Sequence, residues 1–294
     1  MSLNVNMQFS NQTWQQRFTA IKRGELPSLV CGASVYYPIP KIVVFFGPMF
    51  SSKTTKLIPK LRAARRGEAR CLLIRHPIDY RKEEWDKDLP QDESESESEE
   101  EAGLRRSNSQ CSTRLRTHEG DELDPAGSPY VLSVRADSLK DSLVIEVWLD
   151  DGTTMDVPLG TLVREADLIC IEELLFWDKP VSEFQSEEDD PAKSIVRWKS
   201  EYCRVIYATS VNRYANGTGL PILERLLPDA NFKLSNGFCC VCKSGRTTHT
   251  RFLEIEENRE VAKTTGIVHA PGAADRFESV CSRCFRENRQ RQIA

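Results

Sequence analysis

The feature that most constrains this chain is the passage from an unbroken apolar run, Ile42-Val43-Val44-Phe45-Phe46, into Gly47-Pro48-Met49-Phe50-Ser51-Ser52-Lys53-Thr54-Thr55 and then into a helical stretch. A buried strand that turns tightly into a helix aims several backbone N–H groups and a helix N-terminus at one point, so that point holds anions. Phosphate is the expected guest. In the pattern G-x-x-x-x-G-K-[ST] the lysine neutralises the β/γ-phosphates and the hydroxyl after it ligates Mg²⁺; Lys53 and Thr54 take those places. The pattern's second glycine is Ser52, whose Cβ costs on the order of 1 kcal/mol if the loop demands a positive φ.

The flanks support a β-α-β unit. A helix is expected over Thr54 to Arg66, with Leu57, Leu61 and Ala64 on one face, Pro59 kinking it and Gly67 ending it. A second apolar strand, Arg70 to Arg75, follows. Further strands are expected at Asp167 to Ile171 and Arg204 to Val211, the first ending in Glu172-Glu173. Before the first of them, Leu143 to Leu149 and Thr153 to Val157 alternate around Asp150-Asp151-Gly152-Thr153, a hairpin signal. Strands alternating with helical segments argue a mainly parallel α/β sheet with its ligand at the strands' C-terminal ends, where the loop and Glu172-Glu173 both lie. One carboxylate can hold Mg²⁺ and the other can orient or deprotonate an attacking hydroxyl. Adjacent residues of an extended segment point opposite ways, so the two roles divide between them.

The formal net charge of −4 over 294 residues misleads, because Asp86 to Glu101 holds nine acidic residues and one lysine. Without that stretch 39 basic residues face 35 acidic ones, a balance that suits a phosphorylated ligand and is too weak for a nucleic-acid surface. Arg62-Ala-Ala-Arg65-Arg66 and Arg286 to Arg291 read as solvated helix faces. The Ser/Glu alternation makes residues 86–112 a disordered acidic insertion. No run approaches the roughly 18 to 20 apolar residues of a membrane span, and no signal-peptide core is seen, so a cytoplasmic protein with no membrane partner is expected. The sequons at Asn11 and Asn216-Gly217-Thr218 are then coincidental, and the ten cysteines should be thiols or metal ligands. Residues 1–40 form an N-terminal extension with one short helix near Trp14 to Lys22 and no assigned function.

Cys239-x-x-Cys242 and Cys281-x-x-Cys284 are two knuckles separated by 38 residues, a set of four thiolates for a tetrahedral structural zinc. Cys240 is the spare. The loop between the knuckles, with a strand or two around Arg251 to Ile255, is expected to project from the metal site and to close over a ligand beside the sheet.

Together these residues resemble the type II thymidine kinases, the cellular and poxvirus-like family. The loop is similar to that family's G-P-M-F-S-G-K-[ST]-T with one substitution, Asp79-Tyr80-Arg81 to its D-x-R, and Thr117-His118 to its T-H. Ile171-Glu172-Glu173-Leu174-Leu175-Phe176-Trp177 stands where the family has I-D-E-x-Q-F-F, and Gly272 to Phe277 resembles its lasso loop over the nucleoside. The resemblance implies a P-loop parallel-sheet nucleotide-binding domain over residues 41–235, with the insertion at 86–112 and a hairpin insertion at 143–158. A small zinc-binding domain with a lasso-like loop follows over 236–294.

The implied activity is transfer of the ATP γ-phosphate to the 5′-hydroxyl of thymidine or deoxyuridine. Lys53 and the loop from Gly47 to Thr55 would hold the donor phosphates, Thr54 and Glu172 would serve Mg²⁺, and Glu173 would be the base. Arg81 would stabilise phosphate charge, and Asp79 would support the metal or hydroxyl. Met49, Phe176, Tyr214 and Phe277 would enclose the nucleoside base, and Cys239, Cys242, Cys281 and Cys284 would bind zinc. A homotetramer is the family's state, and no nucleic-acid partner is expected. Ser52, Leu175 in place of the glutamine, and Val211 near the family's Asp motivate an alternative: a catalytically weak or inactive binding or scaffold protein of the same fold.

Overall fold

The structure is a computed structural model that describes residues 13–24, 39–66, 69–78, 115–116, 122–123, 128–243, 246–253 and 277–293. The acidic insertion, Asp79-Tyr80-Arg81, Thr117-His118 and residues 272–276 lie outside them. In chain order the elements are α1 (Trp14–Lys22), β1 (Lys41–Gly47), α2 (Lys53–Arg66), β2 (Cys71–Arg75), β3 (Leu115–Arg116), β4 (Glu122–Leu123), β5 (Val131–Arg135), β6 (Val144–Trp148) and β7 (Thr154–Pro158). They continue with α3 (Leu159–Glu165), β8 (Leu168–Glu172), α4 (Pro191–Ser200), β9 (Val205–Val211), α5 (Pro221–Leu226), β10 (Ala230–Leu234), β11 (His249–Phe252), β12 (Phe277–Val280) and α6 (Ser282–Ile293).

Six strands form one sheet in the order β10-β1-β9-β8-β2-β5, and every pairing is parallel. Parallel strands are covered on both faces, and the side chains of β1 show how. Val43 and Phe45 face α2, where Leu57, Ile58 and Leu61 join Leu73, Cys170 and Tyr207 in one core. Ile42 and Val44 point the other way, into a larger core with Leu72, Ile74, Ile169, Ile171 and Ile206 from the sheet. Trp14 and Phe18 of α1, Leu159 and Leu162 of α3, Ile195 and Trp198 of α4 and Ile222 and Leu226 of α5 close that side. The sheet is thus a filled layer between helices, and its C-terminal edge is left to bind.

The helix expected near Trp14 to Lys22 is α1. Thr13 and Gln16 form its capping box, and burial of Trp14 and Phe18 is worth about 2 to 3 kcal/mol apiece. Arg17 reaches the buried Glu165 of α3 at 2.5 Å, so this helix shares the core of the sheet. The hairpin expected at 143–158 is β6–β7, an antiparallel pair whose Ile145, Val147 and Val157 dip into the same core.

Two strands of the sheet were not foreseen. β5, Val-Leu-Ser-Val-Arg, and β10, Ala-Asn-Phe-Lys-Leu, are the sheet's edges, where half the neighbours are missing and polar residues are tolerated; β10 has no fully buried position. The cysteine expectation also needs a correction at one place. Cys203, in the turn before β9 with φ 55°, is disulfide-bonded. A turn thiol can be met by a second segment, whereas Cys71 and Cys170 are sealed inside the sheet and are free.

Candidate phosphate and nucleoside site

The loop after β1 is shaped by its backbone. A Cβ at Gly47 would lie 2.2 Å from the Ser235 carbonyl oxygen and 2.7 Å from Ser51 Oγ, so only glycine lets the end of β1 pass the end of β10 this closely. Phe50 and Ser52 then adopt φ of 56° and 57°. Ser52 therefore holds the left-handed conformation that glycine holds in the motif, at a cost of about 1 kcal/mol. α2 begins immediately after it.

Lys53 is buried, and its Nζ donates to the Pro48 carbonyl at 2.8 Å, where Ser51 Oγ also donates at 2.7 Å. Both side chains brace the loop from inside. Thr55 Oγ1 is buried and has no hydrogen-bond partner among the described residues, a polar atom at the loop that a phosphate oxygen would satisfy.

Next to the loop, Thr54 Oγ1 donates to Glu172 Oε1 at 3.3 Å. Glu172 is almost fully buried at the last position of β8, and its other oxygen pairs with Arg75 Nε at 3.2 Å. Glu173 turns away through a left-handed φ of 59° instead of continuing the strand. Its N–H donates to Thr209 Oγ1 at 2.9 Å, and its carboxylate accepts from the Val211 N–H at 2.7 Å. One carboxylate therefore faces the loop threonine and the other faces the end of β9, separated by the left-handed turn at Glu173 and not by strand alternation.

The β11–β12 hairpin covers the loop. Thr250 Oγ1 accepts from the Met49 N–H at 2.9 Å, and Ser279 Oγ donates to the Met49 carbonyl. Phe252 and Phe277 meet edge to face at 5.3 Å and pack on Met49, Phe50 and Ala215. Met49 and Phe277 are thus brought together. Phe176 stands apart from them, half-buried beside His76 with ring centroids 5.8 Å apart.

Tyr214 is committed elsewhere. Its hydroxyl donates to Asp178, a buried carboxylate that also accepts from the Ile222 N–H at 2.7 Å at the start of α5 and lies 3.8 Å from Arg225. Burial, with Asp178 beside it, holds the Tyr214 phenol well above its ordinary range. Leu175, where the resemblance has glutamine, packs against the large core.

The ligand atoms of Cys239, Cys242, Cys281 and Cys284 all lie within 4.8 Å of one another. Burial pushes the Cys239 thiol up, but the N–H groups of Cys242, Cys281 and Val241 outweigh it and leave it below the ordinary thiol. That donor set fits a tetrahedral zinc. The cluster sits at the foot of β12 and α6, so a metal there would fix the hairpin that covers the loop.

Sequence reasoning missed Arg75, Asp178, Thr250 and Ser279. Arg75 had a signal, an arginine closing the apolar run Cys71-Leu-Leu-Ile74. The other three had none, since each acts on a partner at least 36 positions away.

Fold and site together define an α/β protein with a six-stranded parallel sheet, a strand-to-helix loop at the C-terminal end of β1 and a four-cysteine cluster that could hold zinc. The thymidine kinase family model matches residues 40–115, the part of the chain that contains β1, the loop, α2 and β2. This match supports a member of the thymidine kinase family. No curated protein matches the chain. No helix among the described residues is long and apolar enough to cross a membrane.

Proposed function

We propose that the chain is a deoxynucleoside kinase that moves the γ-phosphate of ATP to the 5′-hydroxyl of thymidine or deoxyuridine. The observation that carries this reading is the meeting of Thr54 and Glu172 at 3.3 Å, a loop hydroxyl beside a strand-end carboxylate, with Glu173 next in the chain and turned toward β9. Thr54 and Glu172 would hold Mg²⁺, which supplies charge neutralisation on the transferring phosphate.

The loop N–H groups and Lys53 bind the donor phosphates, Lys53 exchanging the Pro48 carbonyl for phosphate oxygen. Glu173 takes the proton as the 5′-oxygen bonds to the γ-phosphorus and the bond to the ADP oxygen breaks. Arg81 and Asp79 keep the roles the resemblance gives them. Met49 and Phe277 form one wall for the base, the four cysteines hold structural zinc, and a cytoplasmic homotetramer is the working form. The roles of Phe176 and Tyr214 are less direct: Phe176 stands beside His76, apart from that wall, and Tyr214 fixes the loop after β9.

A second reading, a fold-retaining binding module without turnover, is favoured by Leu175, whose apolar side chain faces the core where a base-reading amide is expected. Transfer of labelled γ-phosphate from ATP–Mg²⁺ to a panel of nucleosides separates the two, with Lys53→Ala as the blank. Transfer to a pyrimidine deoxynucleoside that is absent in the blank supports the kinase. No transfer to any nucleoside by folded, zinc-containing protein supports the module.

A further inference from the structure

A second concave site lies behind the β11–β12 hairpin. A cavity of about 460 Å³ is lined by Arg213, Asn216, Gly217, Thr218, His249, Ser282, Phe285 and Arg286. It is distinct from the P-loop: successive residues of a strand point to opposite faces, and Thr250 of β11 faces Met49 of the loop, so His249 faces away from it. The cavity falls within the size range of small-ligand pockets.

Its charge is one-sided. Among the described residues two guanidinium groups line it and no carboxylate does. Arg213, Arg286 and His249 all line it; burial holds the His249 imidazole below its ordinary value, and the charges of the two arginines lower it further. One wall is aromatic, with the rings of His249 and Phe285 stacked at 4.3 Å and 19°. Amide and hydroxyl groups of Asn216, Thr218 and Ser282 complete the rim.

A hydrogen-bonded turn abuts that wall. Tyr214 N–H donates to Thr218 O at 2.9 Å, Gly217 N–H donates to Tyr214 O at 2.9 Å, and Asn216 Oδ1 accepts from the Thr218 N–H at 2.9 Å. Gly217 has φ of 89°, and a Cβ there would touch the Phe285 ring at 3.3 Å. The turn is thereby pressed against α6, and a wall already ordered by its own hydrogen bonds lowers the ordering cost of binding.

We propose that this cavity binds a small organic phosphate, its phosphate held between Arg213 and Arg286 and its body against the His249–Phe285 wall. Paired arginines recognise phosphate through several N–H groups at once, and an anion there relieves the repulsion between the two guanidinium groups. Asn216-Gly217-Thr218, which the sequence offers only as an idle sequon, is on this reading the rim of a ligand site.

The test uses full-length, zinc-loaded protein carrying Lys53→Ala, which weakens phosphate binding at the P-loop. It is titrated calorimetrically with inorganic phosphate and with thymidine monophosphate, beside the same protein carrying also Arg213→Gln and Arg286→Gln. The proposal expects saturable binding of the monophosphate, tighter than that of inorganic phosphate, and weakened about tenfold or more by loss of the arginines. Zinc content and melting temperature verify that the variants are folded, and a single Arg286→Glu variant gives an independent loss. Binding of both probes that ignores the arginines overturns the proposal, as does the absence of monophosphate binding. Neither result bears on phosphoryl transfer, which is read from the protein with Lys53 intact.

Discussion

The two ends of the candidate site are built from different material. The phosphate end is made by backbone: Gly47 passing Ser235, the left-handed turns at Phe50 and Ser52, and the first turn of α2. The nucleoside end is made by side chains that reach across the fold, among them Thr250 and Ser279 on Met49, and Asp178 holding Tyr214 and the start of α5. A backbone site survives replacement of a glycine by serine as long as the φ value is kept. A side-chain site is rewritten by each substitution, and there Leu175 and the Tyr214–Asp178 link replace what the family resemblance leads one to expect.

The largest effect sharpens the contrast from the catalytic side. Glu173→Gln keeps the N–H contact to Thr209 and the side chain's volume but removes the proton acceptor, so turnover should fall about 10²- to 10⁴-fold with ATP affinity unchanged. Steady-state kinetics beside nucleotide titration reads both quantities, and unchanged turnover would remove Glu173 from its place.

A smaller effect is expected at the other end. Asp178→Ala removes the carboxylate that the Tyr214 hydroxyl and the Ile222 N–H share and leaves Arg225 with Asp190 alone, which should cost about 3 kcal/mol of stability by denaturant midpoint. ATP binding by the folded fraction should not change. Loss of ATP affinity in step with stability would mean that the two ends are one unit and the contrast is false.

The smallest effect tests the backbone argument. Ser52→Gly relieves about 1 kcal/mol of left-handed strain but gives back roughly 0.4 to 1 kcal/mol through a freer unfolded chain. Stability measured by thermal melting should therefore move by less than about 0.5 kcal/mol, with ATP affinity unaltered. A large gain in affinity would show that the serine side chain, and not only its φ, shapes the loop.

The same division decides what could be read from sequence. β1, β2, β8 and β9 are buried along their lengths and so appear as continuous apolar runs, and the phosphate loop is a contiguous motif whose chemistry resides in its order. The four zinc-type cysteines were legible for the same reason, each pair being local. β5 and β10 were not, because edge strands carry polar residues that a pattern cannot tell from a loop. Nor was the Asp178 junction, whose hydrogen-bonded partners lie 36 and 44 positions away; no local signal marks a carboxylate that will be buried by a distant helix. Arg17 and Glu165, 148 positions apart, form the same kind of pair, which is why the N-terminal helix read as an appendage.

The measurement that addresses the account most directly is calorimetric titration of ATP with and without Mg²⁺, on the native chain and on Thr54→Ala. If the loop and Glu172 form a working phosphate end, Mg²⁺ should tighten ATP binding by about tenfold or more in the native chain, and Thr54→Ala should lose that gain while still binding free ATP. ATP binding that is indifferent to Mg²⁺, or absent from folded protein, would contradict it.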